Sequence, residues 1–359
     1  MQGPRVLPEL RSASHGGRAA HLVDAVLPDV PVRQWVLTLP LRLRYRLAWD
    51  HDLCRAVIGI FVRAVFATLR RRAAWQGAGG GRSGAVTILQ RFGGALNLNV
   101  HVHALILDGC YTKRAAGPFA FHPVGDITAL DVAETLQDAQ VGIARLVARW
   151  RRDDAGWVDD APATGALAEA SVQGAVALGR RRGQPVARVG DARDEDAADV
   201  AAERCHARWD GFDLDASHVV PAGARDRLER LCRYVLRPPV VSERLHLCED
   251  GHVLWRLPRP WRDGTTHVRF DPCDFLGRLA VLVPRQRVNL LFYHGVLGAR
   301  SAWRRAIVPG VPGEASEASV SAPEPATEPA STPRRRQWAD LMRRSFPPSP
   351  RLRRTRHSA

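Results

Sequence analysis

The chain has 359 residues and a formal net charge of +15, with an isoelectric point near 10.9. That length holds one large domain or two, and a hydrophobic content of 45% supplies a normal core. The charge asks for a polyanionic partner, nucleic acid before an anionic membrane surface. A membrane span is excluded, because the longest candidate, residues 56–69, is interrupted by Arg63 and fits an amphipathic helix. The first residues carry no secretory pattern, and no two of the six cysteines stand at Cys-x-x-Cys spacing. They are expected as free thiols in a reducing cytoplasm. Lys113 is the only lysine, so arginine, which suits bidentate phosphate contacts, carries the positive charge.

Residues 1–17 show no period and no cap and read as a disordered remnant. A short helix is expected over 18–26. Residues 34–39 read as a strand stopped by Pro40. A helix is expected over 50–72, where Leu53, Val57, Ile60, Phe61 and Val65 recur at three and four and arginines crowd the end. The glycine-rich stretch 77–84 lacks the Gly-Lys-Ser/Thr of a phosphate loop. On the next strand, 85–92, Val86, Ile88, Gln90 and Phe92 share a face.

Gly93-Gly94 then leads through Asn97 and Asn99 into a branched apolar strand, 100–107, that ends at Asp108-Gly109. Alternation puts His101 and His103 on one face and Val100, Val102, Ala104 and Ile106 on the other, toward the core. Two imidazoles side by side can hold one divalent ion; they can equally be half-exposed histidines with ordinary hydrogen bonds. If strands 85–92 and 100–107 are neighbours, Gln90 approaches both rings. Its amide oxygen would serve Mg or Mn, or bond a loop.

Thr128 caps a helix over 129–152, with Asp131 in its first turn. Residues 153–215 read as an irregular insert with strand-like pieces at 171–177 and 185–189. In 225–239, Leu228, Leu231, Cys232 and Val235 make a helical core face, and Pro238-Pro239 ends the helix. At ~100° per residue, Tyr234 points about 110° from the centre of that face, one turn from Arg230 and two from Arg227. A tyrosine there can meet a phosphate, or sit at the edge of the core. Residues 244–257 read as a hairpin turning at Glu249-Asp250-Gly251, 261–267 as a turn into strand 268–270, and 272–282 as a helix. Residues 309–333 are rich in Pro, Glu, Ala and Ser and read as a disordered linker. The tail, 334–359, carries nine arginines and suits sequence-independent contact with nucleic acid.

The run Ile88-Leu89-Gln90-Arg91-Phe92-Gly93-Gly94-Ala95-Leu96-Asn97-Leu98-Asn99-Val100-His101-Val102-His103 resembles the HUH motif region of rolling-circle insertion-sequence transposases of the two-tyrosine type. So do Arg233-Tyr234-Val235-Leu236-Arg237-Pro238-Pro239, Trp261-Arg262-Asp263-Gly264-Thr265-Thr266-His267 and Tyr293-His294-Gly295-Val296-Leu297. The likeness extends over roughly residues 18–308. It implies an α+β fold with an antiparallel, RRM-like or ferredoxin-like sheet and flanking helices. It also implies a DNA transposase, nucleoid-associated in the cytoplasm, that nicks single-stranded element ends and joins them to a target. By the resemblance, His101 and His103, with Gln90, hold Mg or Mn, and Tyr234 attacks the phosphate to give a 5′-phosphotyrosine. The expected DNA contacts are Arg91, Arg227, Arg230, Arg237, Arg262, Arg285 and Arg287.

The chain departs from that pattern. Arg230 stands where two-tyrosine members carry a second tyrosine, so one-tyrosine chemistry is expected. No N-terminal cysteine-rich zinc module precedes residue 18, and Pro347-Pro348-Ser349-Pro350 stands where another Cys-x-x-Cys segment often follows. Asp215 takes the place of an expected histidine. The expectation is a truncated copy, active as a nickase or else decayed to DNA binding alone.

Overall fold

The structure, a computed structural model, describes residues 6–114, 117–153, 162–190, 205–283 and 288–309. In chain order its elements begin with α1 (Val6–Ala25), β1 (Val32–Thr38), α2 (Leu41–Trp49) and α3 (His51–Trp75). Then come β2 (Gly84–Phe92), β3 (Leu98–Leu107), β4 (Gly109–Thr112), β5 (Ala120–Pro123), α4 (Ala129–Asp153) and α5 (Pro162–Gln173). The series continues with β6 (Ala187–Gly190), β7 (His206–Trp209), β8 (Phe212–Val220) and α6 (Arg225–Val235). It closes with β9 (Leu245–Leu247), β10 (Val253–Arg256), β11 (Thr265–Phe270), α7 (Pro272–Leu282), β12 (Leu291–Gly295) and α8 (Arg304–Ile307).

These elements form two units. The larger is an α+β body around a six-stranded sheet of order β12-β2-β3-β1-β8-β7. Every pairing in that sheet is antiparallel. The histidine strand β3 lies inside it, flanked by β2 and β1. Val100, Val102, Ala104 and Ile106 join Trp35, Leu37, Leu89 and Leu214 in the core, with Phe61 and Val65 from α3 and Val132 and Leu136 from α4. The apolar alternation of β3 therefore faces the helices as expected. Asp50 starts α3 by accepting from the Leu53 N–H at 2.8 Å, and so separates it from α2, which periodicity alone did not resolve. Thr128 and Asp131 exchange bonds at the start of α4 in a capping box. Between β1 and the end of β3 a buried ion pair is set: Arg33 donates to both carboxylate oxygens of Asp108 at 2.9 Å and to the Ala216 carbonyl. Gly109 follows immediately, where a Cβ would stand 2.3 Å from the His122 carbonyl oxygen.

A second, four-stranded sheet of order β6-β11-β10-β9 belongs to the same unit. It contains the hairpin expected at Asp250-Gly251 and buries Trp255, Val268 and Phe270. The Trp255 indole N–H donates to the Gly94 carbonyl at 2.8 Å, fastening this sheet to the loop that leads into β3. The reading of 153–215 as an irregular insert is corrected here. β7 and β8 complete the central sheet, β6 joins the second, and the strand-like piece expected at 171–177 is mostly the end of α5 and the turn after it. What disguised the pair is the shortness of β7, four residues, and an acidic context around the two-residue connection Asp210-Gly211, both with positive φ.

The smaller unit pairs α1 with α6. Here too the N-terminal expectation changes, for the helix begins at Val6 rather than at Arg18. Leu228, Leu231, Cys232 and Val235 are all buried, as the i, i+3, i+4, i+7 spacing requires. Arg225 donates to the carbonyls of Val23, Leu27 and Pro28 at the C-terminal end of α1, where the helix dipole favours a cation. The linker and tail expected at 309–333 and 334–359 lie outside the described residues, apart from residue 309. Among the described residues no helix is long and apolar enough to cross a membrane, and all six cysteines are free.

Candidate functional site

The register across β2, β3 and β1 builds the site. Gln90 stands directly opposite His101, and Ile88 opposite His103. On the other side, Thr38 is opposite His101 and Val36 opposite His103. Directly opposed residues share a face, so Gln90, His101 and His103 lie together, as the strand reading expects. The two rings are 4.9 Å apart, centroid to centroid, at 65°. His103 and Gln90 are buried, and His101 is partly open.

Hydrogen bonds at the other ring nitrogens orient both imidazoles. His101 Nδ1 lies 2.8 Å from the Asn99 carbonyl oxygen. A carbonyl only accepts, so Nδ1 carries the proton and, in the neutral ring, the lone pair is on Nε2. His103 Nδ1 lies 2.7 Å from the side-chain amide of Gln34, itself buried on β1. An amide can face the ring with N–H₂ or with oxygen. With nitrogen inward, Gln34 donates and the His103 proton sits on Nε2. With oxygen inward, Gln34 accepts from Nδ1–H and the lone pair of the neutral ring is on Nε2. Gln34 thus governs the tautomer of His103, in the way outer-shell partners set metal-binding histidines.

The same face continues across β8 and β7. Thr38 is opposite Asp213 and Val36 opposite Asp215; Asp213 in turn pairs with Arg208 and Asp215 with His206. Asp213 accepts from Arg208 and meets His206 Nε2 at 2.8 Å. Asp215, where a histidine was expected, accepts from the Ser217 N–H. Among the described residues no three His, Cys, Asp or Glu side chains gather as a metal-holding group. A divalent ion here would draw on two imidazole nitrogens and the Gln90 amide oxygen, a mixed nitrogen and oxygen set.

In the smaller unit, Tyr234 is 48% exposed on α6. The Arg237 guanidinium lies 4.2 Å over its ring, a cation–π contact. Arg227 and Arg230 are exposed on the same helix, and Arg262 is exposed in the larger unit. Arg285 and Arg287 lie outside the described residues. Arg91 is different: it is 5% exposed and donates to the carbonyls of Ala48 and Val281, while stacking on Trp49. Its donors serve the fold where a phosphate contact was expected. Gln34 and Asp213 went unremarked in the sequence. Period two along 34–39 puts Gln34, Val36 and Thr38 on one face, but only the β1–β3 pairing says which ring Gln34 meets.

The family described as "Putative transposase" matches residues 84–304, more than half of the chain, and the chain belongs to it. That match spans β2 through the start of α8 and includes the histidine strand and the tyrosine helix. Membership gives the protein a part in DNA transposition, with DNA as its substrate. No curated protein and no solved structure matches the chain.

Proposed function

We propose that this transposase is an HUH-type, rolling-circle nickase that uses Tyr234 as its single nucleophile on single-stranded element ends. The observation that carries the reading is the pair His101 and His103, on one face of an internal strand, each held by a bond at Nδ1. With Gln90 opposite, they would hold a divalent ion, Mg or Mn, whose chemistry is Lewis-acid polarisation of the scissile phosphate.

The protein's own part is positioning and nucleophilic attack. The Tyr234 hydroxyl oxygen bonds to phosphorus and loses its proton, and the P–O3′ bond breaks. The 3′-oxygen leaves and takes up a proton, giving a 3′-hydroxyl and a 5′-phosphotyrosine. The phosphotyrosine retains the energy of the phosphodiester, so a later 3′-hydroxyl can displace it without ATP. Arg237 stacks on the tyrosine ring and restrains it, while Arg227 and Arg230 supply exposed charge for the strand.

The test is covalent capture. Purified protein is mixed with labelled single-stranded DNA bearing the element's end, with Mn or with EDTA, and run on a denaturing gel. A Mn-dependent shifted band that Tyr234→Phe and His103→Ala both lose is the expected result. A folded protein that binds the strand but yields no band would sink the nickase reading and leave a DNA-binding copy without catalysis.

A further inference from the structure

The motif around Trp261 has no part in that chemistry, yet it is built like a binding site. Trp261 borders a cavity of about 210 Å³ in the larger unit, together with Asn97 and Gln173. The cavity is smaller than the about 300–1,000 Å³ of clefts for drug-sized ligands, so it suits one planar ring system. The indole is 36% exposed, and the Arg188 guanidinium lies 4.7 Å over its ring, itself tied to Asp263 at 3.1 Å. Backbone bonds fix the turn: the Trp261 N–H donates to the Thr265 carbonyl and the Gly264 N–H to that of Trp261. On either side along the chain stand Arg259 and Arg262, with Arg256 at the end of β10. All three are exposed, and none makes an ion pair among the described residues. Asn97 belongs to the loop that enters the histidine strand.

We infer that Trp261 is a base-stacking platform for single-stranded DNA: one unstacked base enters the cavity against the indole, and Arg256, Arg259 and Arg262 take the flanking phosphates. An aromatic face set among unpaired arginines is the chemistry that holds single strands with little sequence preference. The Asn97 and Gln173 amides line the same cavity and can hydrogen-bond a base edge. Duplex DNA fits poorly, since its bases must leave the stack to reach an indole. The inference rests on DNA being the substrate and not on the tyrosine chemistry.

The experiment is fluorescence anisotropy in EDTA, where no nicking occurs, with labelled oligothymidylate and with an abasic strand of the same length. Trp261→Ala is expected to weaken oligothymidylate binding about 5- to 100-fold with the salt slope unchanged. Trp261→Phe retains most of the affinity, and the abasic strand binds both forms alike. Arg262→Ala is expected to lower the salt slope by about 0.7 instead. If Trp261→Ala does not fold, Trp261→Leu, which keeps apolar bulk without a π face, takes its place. Equal binding of oligothymidylate by wild type and the Ala or Leu variant overturns the inference, and so does an equal loss on the abasic strand. Because the readout is equilibrium binding, a failed adduct assay leaves this result standing, and the reverse also holds.

Discussion

Gln34 on β1 and His103 on β3 meet at 2.7 Å across 69 positions of sequence. The amide therefore chooses which imidazole nitrogen of His103 carries the proton. Gln34→Leu removes that choice and is expected to weaken Mn binding about 10- to 100-fold, the usual cost of losing a histidine's outer partner. Gln34→Glu, which only accepts, should bind Mn at least as tightly as wild type. Isothermal titration with Mn decides it; unchanged affinity in the Leu variant would show that Gln34 does not set the ring.

Arg33 and Asp108 join β1 to the end of the histidine strand through two 2.9 Å bonds in a buried setting. Removing one partner strands the other charge. Asp108→Ala is expected to cost about 3–5 kcal/mol, read from urea denaturation. A loss under about 1 kcal/mol would mean that water reaches the guanidinium.

Burial pushes the His294 imidazole down to about 4, from an ordinary value of 6.5. Between those values the unfolded chain binds the more protons, so this ring's contribution is complete above about pH 6.5 and declines as pH falls toward 4. His294→Asn should flatten that part of the profile relative to wild type, in denaturation midpoints measured from pH 7 to pH 4. Parallel wild-type and mutant profiles would rule out the ring as the source.

Arg91 and Arg227 should part company in DNA binding. Arg91→Ala loses charged hydrogen bonds to two buried carbonyls and is expected to cost about 3 kcal/mol of stability, with the salt slope of single-strand binding unchanged in the folded fraction. Arg227→Ala leaves stability alone and lowers the slope by about 0.7. Thermal melts paired with salt titrations separate the two, and the opposite pattern would return Arg91 to the DNA surface.

Much of this was legible in advance because it rests on short-range period. The alternation of β3 set both its faces, and the apolar spacing of α6 set which residues are buried and left Tyr234 outside. The Gln90–His101 pairing followed from two adjacent strands with a short connection. The strand pair β7–β8 lies outside the expected elements although its signals are local. Asp210-Gly211 is a hairpin dipeptide, and Phe212, Leu214 and Ala216 alternate with Asp213 and Asp215. Acidic composition around them obscured the period. The burial of Arg91 and the partner of Gln34 depend on elements far apart in sequence, and no local pattern announces either.

The strand order of the central sheet also has a consequence for synthesis. β2, β3 and β1 are complete by residue 107, but β1's other neighbour, β8, begins at residue 212, and β2's outer neighbour, β12, at residue 291. While the ribosome makes the intervening hundred residues, the histidine strand sits in a three-stranded ribbon with both edges bare. Such edges recruit other chains, and non-local pairings close slowly. The nascent protein is at its most aggregation-prone midway through translation, when its histidine strand already exists and its sheet does not.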